Sequence, residues 1–282
     1  MRVALVTNKE SADLHTDGPR LAAAFERLGV DTAVVPWGGG TDWARFDGVL
    51  IRNTWDYVFD RDGFLAWAEA VSATTPIANS VSVLRWNTDK RYLRDLSAAG
   101  IPVVPTVWAE PGHPLPRVEW KDFVVKPSVS AGARLSARYG HGDDITGHVA
   151  RIYALGAAAM IQPYVASLAD DDETGTYVFG GEVSHAVTKA PVLESMRAPR
   201  DDLEAGAHQL VGPAEVDPRF AAFALGVLAA APPVLYARVD TVVDNGEPML
   251  MELEVTEPFL FLEHAPEAAD RFAKAALRWL SP

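Results

Sequence analysis

Short apolar runs separated by amphipathic stretches open the chain. Val3-Ala4-Leu5-Val6-Thr7 has the length and apolar character of a buried strand, and residues 32–35 and 49–52 repeat the pattern. Between the first two, Leu21, Ala24, Phe25 and Leu28 recur at i, i+3, i+4 and i+7, with Gly18-Pro19 at the start and Gly29 beyond the end. That spacing predicts a helix from about Asp17, and a second helix is expected over 64–71. Strands alternating with helices predict a doubly wound parallel sheet, whose ligands gather at the carboxyl ends of strands, where Arg52-Asn53-Thr54-Trp55-Asp56-Tyr57 falls.

A change of pattern follows. Tyr92, Leu93, Leu96 and Ala99 share one face of a helix expected over 88–99, with Gly100 as its stop. Prolines 102, 105, 111, 114 and 116 make a turn-rich connection to a strand at 123–127. Further strands are expected at 160–164, 176–179, 183–189, 235–243 and 249–255, with helices near 220–229 and 266–280. This is α+β organisation, and the chain divides into an N-terminal α/β domain (1–84), a central subdomain (85–160) and a C-terminal mixed-sheet subdomain (161–282).

Composition narrows the partners. The 282 residues carry 25 basic and 38 acidic side chains, so the formal charge of −13 opposes nucleic acid and anionic membranes. Without cysteine there is no disulfide, thiolate nucleophile or cysteine-zinc site. The opening apolar run meets Thr7, Asn8 and Lys9 too early for a signal peptide, and the uncharged run 221–237 is broken by Pro232-Pro233. A cytoplasmic location is expected.

The densest chemistry lies between Tyr236 and Leu262. In a strand over 249–255, Glu252 and Glu254 project from one face, and by the same alternation Arg238 and Asp240 share a face of the preceding strand. Carboxylates on rigid strands are ligands that Mg²⁺ takes, usually one or two of them with phosphate oxygens completing the shell. A plain two-residue turn at Asn245-Gly246 would place Asp240 and Glu252 on opposite faces. A shared ion therefore predicts a three-residue loop Asp244-Asn245-Gly246 with Gly246 left-handed, or an equivalent bulge further along. Lys126 closes an apolar strand and Lys90 opens a helix, both suited to anions, and Ser128-Val129-Ser130-Ala131-Gly132 has the small residues of a phosphate-covering loop. His185 reads as a satisfied core or cleft histidine. Neither Gly-x-Gly-x-x-Gly nor Gly-x-Ser-x-Gly occurs, which argues against dinucleotide-binding and α/β-hydrolase folds.

The order Asp89-Lys90, Phe123-Val124-Val125-Lys126-Pro127, Ile161-Gln162-Pro163-Tyr164-Val165, Glu173, Arg238-Val239-Asp240 and Met251-Glu252-Leu253-Glu254 resembles the ATP-grasp ligases. Within them it is most similar to the glutathione-synthetase-like branch and its O-ureido-D-serine cyclo-ligases, on Asp89 to Leu93, Gln162 to Val165, Ser184-His185-Ala186 and Glu257-Pro258. Trp43 and the segment from Arg52 to Trp55 extend the likeness into the N-terminal unit.

The resemblance implies an ATP-grasp fold and ATP with Mg²⁺ as cofactors. Lys90 and Lys126 would hold phosphates with the Ser130–Gly132 loop, Gln162, Tyr164 and Val165 would frame adenine, and Glu173 would take the ribose hydroxyls. Asp240, Glu252 and Glu254 would bind Mg²⁺, with Arg238 and Lys189 as the catalytic cations. Many of these ligases carry asparagine where this chain has Glu254, and its phosphate loop is glycine-poor.

The implied activity converts a small carboxylate to an acyl phosphate for attack by an amine or related nitrogen, as a ring closure or between two molecules. The rival is a nucleotide-binding module without chemistry. An amino-acid-like small molecule is the expected partner, with a homodimer left open. Arg52 and Asn53 are expected to meet the substrate, Arg52 through a bidentate pair with its carboxylate; the equal alternative for Arg52 is a surface ion pair with Asp56 or Asp60 and no substrate contact. Specificity is expected from the N-terminal unit and the segment 189–212. The lysines, Glu173 and the three metal carboxylates should surround one cleft.

Overall fold

The computed structural model describes residues 1–9, 17–165, 173–193, 196–202 and 210–281. Its first sheet contains β1 (Arg2–Thr7), β2 (Asp31–Pro36), β3 (Gly48–Asn53) and β4 (Ile77–Ala78), all parallel, in the order β2-β1-β3-β4. Alternation along β1 divides its side chains between two cores. Val3 and Leu5 pack with Leu21, Ala24 and Phe25 of α1 (Asp17–Arg27), while Ala4 and Val6 pack with Phe64, Leu65, Ala68 and Val71 of α2 (Arg61–Ser72). Helices on both faces make this the doubly wound layer that the periodicity predicts.

Of the helix expected over 88–99 the structure forms α4 (Tyr92–Ala98), and a separate helix that the pattern did not predict, α3 (Val81–Asn87), precedes it. Lys90 sits in the break. Its amide donates to Ser128 O at 2.7 Å, and the Asp89 carboxylate accepts from the Arg91 amide at 3.0 Å, so tertiary and local partners replace the helical ladder there.

A central antiparallel sheet follows, with β5 (Val107–Ala109), β6 (Asp122–Pro127), β7 (Ala137–Gly140) and β8 (Ala159–Pro163) in the order β5-β8-β6-β7. It is backed by α5 (Thr146–Ala154) through Val149 and Ile152. The expected boundary at 160/161 cuts through β8, which belongs to this sheet because it pairs with both β5 and β6.

The third sheet joins β9 (Glu173–Phe179), β10 (Glu182–Lys189), β11 (Val211–Ala214), β12 (Tyr236–Asp244) and β13 (Glu247–Glu254) in the order β11-β10-β9-β12-β13. Every pair of these strands is antiparallel, so the sheet is mixed only through an isolated parallel bridge between Val103 and Leu250. The apolar helix α6 (Pro218–Ala229) covers one face through Ala224 and Val227, with Pro218 at its first turn and Asp217 as its cap. The last helix, α7 (Ala268–Leu280), crosses back to the N-terminal unit. Phe272, Ala276 and Leu280 join the core of Val3 and Phe25, and Arg27 pairs with Asp270 at 2.6 Å. Sequence order thus assigned α7 to the C-terminal subdomain, whereas its apolar face is buried partly against the first sheet. Among the described residues no helix is long and apolar enough to cross a membrane.

The hairpin of β12 and β13 settles the register question. Asn245 and Gly246 both have positive φ, 50° and 84°, and Asp244 faces Glu247, so the loop has two residues rather than the preferred three. The compensating irregularity lies further along: Asp240 pairs with Glu252 and Thr241 with Leu250, leaving Met251 as the extra residue of a bulge. That residue returns Glu252 and Glu254 to the face of Arg238 and Asp240.

Candidate active site

A cavity of about 760 Å³ opens between the central and C-terminal sheets, with Asn8 and Trp55 of the N-terminal unit at its wall. All four cations and four carboxylates that the sequence singles out as cofactor, metal or catalytic groups line it: Lys90, Lys126, Lys189, Arg238, Glu173, Asp240, Glu252 and Glu254. Ser130, Gly132, Gln162, Tyr164 and Val165 line it too.

Seven of these charged groups form two runs of alternating sign, Glu254–Arg238–Asp240–Lys189–Glu173 and Lys90–Glu252. The Arg238 guanidinium donates to both oxygens of Asp240, through Nε at 2.8 Å and Nη2 at 2.8 Å, and also to Glu254. Lys189 Nζ lies 2.8 Å from Asp240 and 2.5 Å from Glu173. Lys90 Nζ lies 3.1 Å from Glu252 and donates to Ser130 O at 2.7 Å. Burial opposes ionisation of Asp240, yet Arg238 and Lys189 outweigh it and hold the carboxyl below the usual range. Burial opposes Glu252 likewise, and Lys90 with Lys126 prevails. For Glu254 burial wins over Arg238 and lifts the carboxyl to about 7. Burial also pushes the Lys126 ammonium below the usual lysine range. Gly175, on β9 opposite Asp240, makes the packing possible: a Cβ there would lie 3.2 Å from the Asp240 carboxylate and 3.3 Å from Arg238 Cδ.

Among the described residues no three acids or histidines converge closely enough to hold an ion by themselves, because buried carboxylates on one face require counter-charge and Arg238, Lys189 and Lys90 supply it. The donor set still fits Mg²⁺ bound with a nucleotide. Hard oxygen donors stand on adjacent rigid strands, and lysines beside them can take the phosphates that complete the ion's shell.

At the other surfaces Gln162 donates to Thr106 Oγ1 at 2.9 Å, Tyr164 lies under the Arg138 guanidinium at 3.6 Å, and Val165 packs with Val104 and Val242. His185 is a satisfied core histidine, stacked on Tyr177 with ring centroids 4.2 Å apart.

The substrate expectation for Arg52 and Asn53 is overturned. Both are buried, and neither lines the cavity. Arg52 is 1% exposed, donates to Pro258 O at 2.7 Å and lies over the rings of Tyr236 and Phe272, so it pairs neither with a ligand carboxylate nor with Asp56 or Asp60. The strand end points inward because α7 covers it. Asn8, Trp55, Phe259 and Phe261 line the cavity instead, and none was singled out as a site residue. Trp55 was within reach of sequence reasoning, since it stands in the segment after the third strand; the two phenylalanines follow Glu257-Pro258 and gave no periodic signal. Of the segment 189–212, Lys189, Pro191, Val192, Leu193 and Val211 line the cavity, while residues 194, 195 and 203–209 lie outside the described residues.

Comparison with known proteins gives likenesses that cover nearly the whole chain. Residues 3–79 match the family model of the D-cycloserine synthetase DcsG N-terminal domain. Over 99% of both chains the sequence is 35% identical to the cycloserine biosynthesis protein DcsG of Streptomyces lavendulae. A crystal structure of D-cycloserine synthetase DcsG superposes over 100% of both chains with a TM-score of 0.88 at 33% identity. The D-alanine–D-alanine ligase of Bacillus anthracis, complexed with ATP, shares the fold over 99% of this chain and 98% of its own, with a TM-score of 0.71 at 17% identity.

Proposed function

The chain belongs to the D-cycloserine synthetase (DcsG) family of ATP-grasp carboxylate–amine ligases, and from that premise we propose that it closes the ring of a small amino-acid-like substrate such as O-ureido-D-serine. One observation carries the reading: one cavity, lined by residues of the N-terminal unit and of the central and C-terminal sheets, gathers four cations and four carboxylates.

In this reading Gln162, Tyr164 and Val165 frame the adenine, and Glu173 takes the ribose hydroxyls in exchange for part of its pairing with Lys189. Lys90 and Lys126 hold the phosphates, helped by the amides of the Ser130–Gly132 loop. Asp240, Glu252 and Glu254, together with phosphate oxygens, would hold Mg²⁺, which would supply positive charge to neutralise the terminal phosphates. Arg238 and Lys189 stand where the transferred phosphoryl group gains charge, and fixed cations there lower the barrier without reorganising. The substrate carboxylate oxygen attacks the γ-phosphorus and ADP leaves. Phosphorylation thus gives the acyl carbon a good leaving group; the substrate's own nitrogen then attacks that carbon and gives up its proton to solvent or to the phosphate, as the C–O bond breaks and inorganic phosphate leaves.

The test is ADP release from Mg²⁺-ATP with a panel of amino acids that includes O-ureido-D-serine. Release that depends on one of these carboxylates, with a cyclic product lacking a free carboxylate, is expected. No carboxylate-dependent ADP from any member would end the ligase reading.

A further inference from the structure

The backbone after β13 is held in an unusual way. Four successive carbonyls are each met by a different side chain: Trp55 Nε1 donates to Glu257 O at 3.2 Å, Arg52 Nη2 to Pro258 O at 2.7 Å, Tyr177 Oη to Phe259 O at 2.7 Å and His185 Nε2 to Leu260 O at 2.8 Å. The buried Asp17 carboxylate accepts from the amides of Leu260 at 2.7 Å and Leu262 at 3.0 Å. These donors and acceptors come from the N-terminal unit and from the third sheet, so the segment is fixed from two sides although it belongs to no helix or strand. Phe261 has a φ of 47°, a left-handed conformation that a bulky residue adopts only when its surroundings impose it.

This rigid segment presents Phe259 and Phe261 to the cavity, with Phe259 stacked on Trp55 at 6.0 Å. Its place along the cavity follows from β13. Met251 packs beside Val165, Glu252 meets Lys90, Glu254 meets Arg238, and the chain then reaches Phe259. At about 3.3 Å per residue, Met251 and Glu254 are about 10 Å apart. On β12, Val242 packs with Val165, whereas Arg238, four residues earlier, pairs with Tyr177, whose hydroxyl holds Phe259 O; the aromatic residues thus lie at the Arg238 end of the ionic cluster, away from Val165, where the carboxylate to be phosphorylated must enter if the nucleotide base lies by Gln162–Val165.

We propose that the 257–262 segment is a fixed wall of the substrate pocket, in which Phe259 and Phe261, with Trp55, limit the length of the carboxylate substrate that reaches Arg238. This rests on the ligase reading above. It assigns Arg52, Tyr177, His185 and Asp17 as positioning residues that hold the wall. A hydrophobic pocket discriminates one methylene by roughly 10–200-fold, which sets the scale of the effect.

The experiment compares O-ureido-D-serine with its homologue one methylene longer, by kcat/KM for ADP release and, independently, by calorimetric binding in the presence of Mg²⁺ and a non-hydrolysable ATP analogue. Phe259→Ala is expected to raise the homologue-to-parent ratio about tenfold or more in both readouts, while KM for ATP changes less than about twofold. Tyr177→Phe keeps the ring stacked on His185 and removes only the hydroxyl that holds Phe259 O. It is expected to raise KM for O-ureido-D-serine severalfold with kcat and the ATP KM little changed. An active wild-type enzyme whose substrate preference is unmoved by Phe259→Ala overturns the wall and leaves the ligase reading standing. If the wild type releases no ADP yet the binding preference shifts in Phe259→Ala, the wall stands and the ligase reading falls. No shift in either readout overturns the wall.

Discussion

His185 offers a sharp test of how the wall-bearing part of the fold is held. Arg271 Nε donates to Ser184 Oγ at 3.0 Å, which leaves the serine hydroxyl hydrogen for His185 Nδ1 at 3.1 Å, and Nε2–H then donates to Leu260 O at 2.8 Å. Every position in this relay is satisfied by the neutral imidazole. A second ring proton would turn Nδ1 from acceptor to donor and take from the Ser184 hydroxyl hydrogen the acceptor it has in the neutral form. Burial first, with Arg271 and His264 adding like charge, pushes the imidazole down to about 4, although the Leu260 carbonyl works the other way.

The unfolded chain takes up this proton near the ordinary 6.5, whereas the native protein does so only near 4. Between those values the unfolded state binds more protons, so stability is complete above about pH 7 and is lost as pH falls through the window. Taking both pKa values at face value, the loss from pH 8 to pH 5 is about 2 kcal/mol, and it levels off near 3 kcal/mol below pH 4. Carboxylates titrate in the same range, so the readout is a difference: urea unfolding of wild type and of His185→Gln, whose amide can still donate to Leu260 O, at pH 8, 6 and 5. The wild type should lose about 2 kcal/mol more than the variant over that range. Equal pH slopes, or an NMR titration of the His185 ring near 6.5, would refute the relay.

Other consequences concern the charged array and the hairpin. Lys189→Met should destabilise the fold by about 3–5 kcal/mol, read by denaturant unfolding, because it leaves Asp240 and Glu173 with less counter-charge at a buried site. Lys126→Ala should raise KM for ATP by at least about tenfold while KM for the carboxylate moves much less, since a charge-assisted phosphate contact is worth more than about 1.4 kcal/mol. Deleting Met251 makes the ladder regular while leaving Asp240 opposite Glu252 and Arg238 opposite Glu254, so a folded variant should retain Mg²⁺-dependent ADP release; its loss in a variant that still binds ATP would contradict the shared-face argument.

Much of this molecule was legible from local pattern. The alternation in Val3 to Val6 assigns two helical layers without any tertiary information, because a strand's side chains must leave by opposite faces. The same alternation brought Glu252 with Glu254 and Arg238 with Asp240, and counting residues around Asn245-Gly246 required an irregularity if the two pairs were to meet. Local pattern was not able to say where that irregularity lies. A two-residue turn with a bulge at Met251 and a three-residue loop satisfy the same count; the folded register is the first, and in it Met251 packs against Val104, Val165 and Val242.

What only the tertiary structure decided are the contacts between segments far apart in the chain. Arg52 at a strand end looks like a ligand for a carboxylate until α7, more than 200 residues later, buries it under Phe272 and gives it the Pro258 carbonyl instead. Lys90 looks like the first turn of a helix until Ser128 takes its amide and Glu252 its ammonium. Phe259 and Phe261 carry no periodic signal because their segment is neither helix nor strand; its shape comes from Trp55, Arg52, Tyr177, His185 and Asp17. Backbone groups without a regular ladder must find partners elsewhere, and those partners are set by the packing of the whole chain rather than by neighbours in sequence.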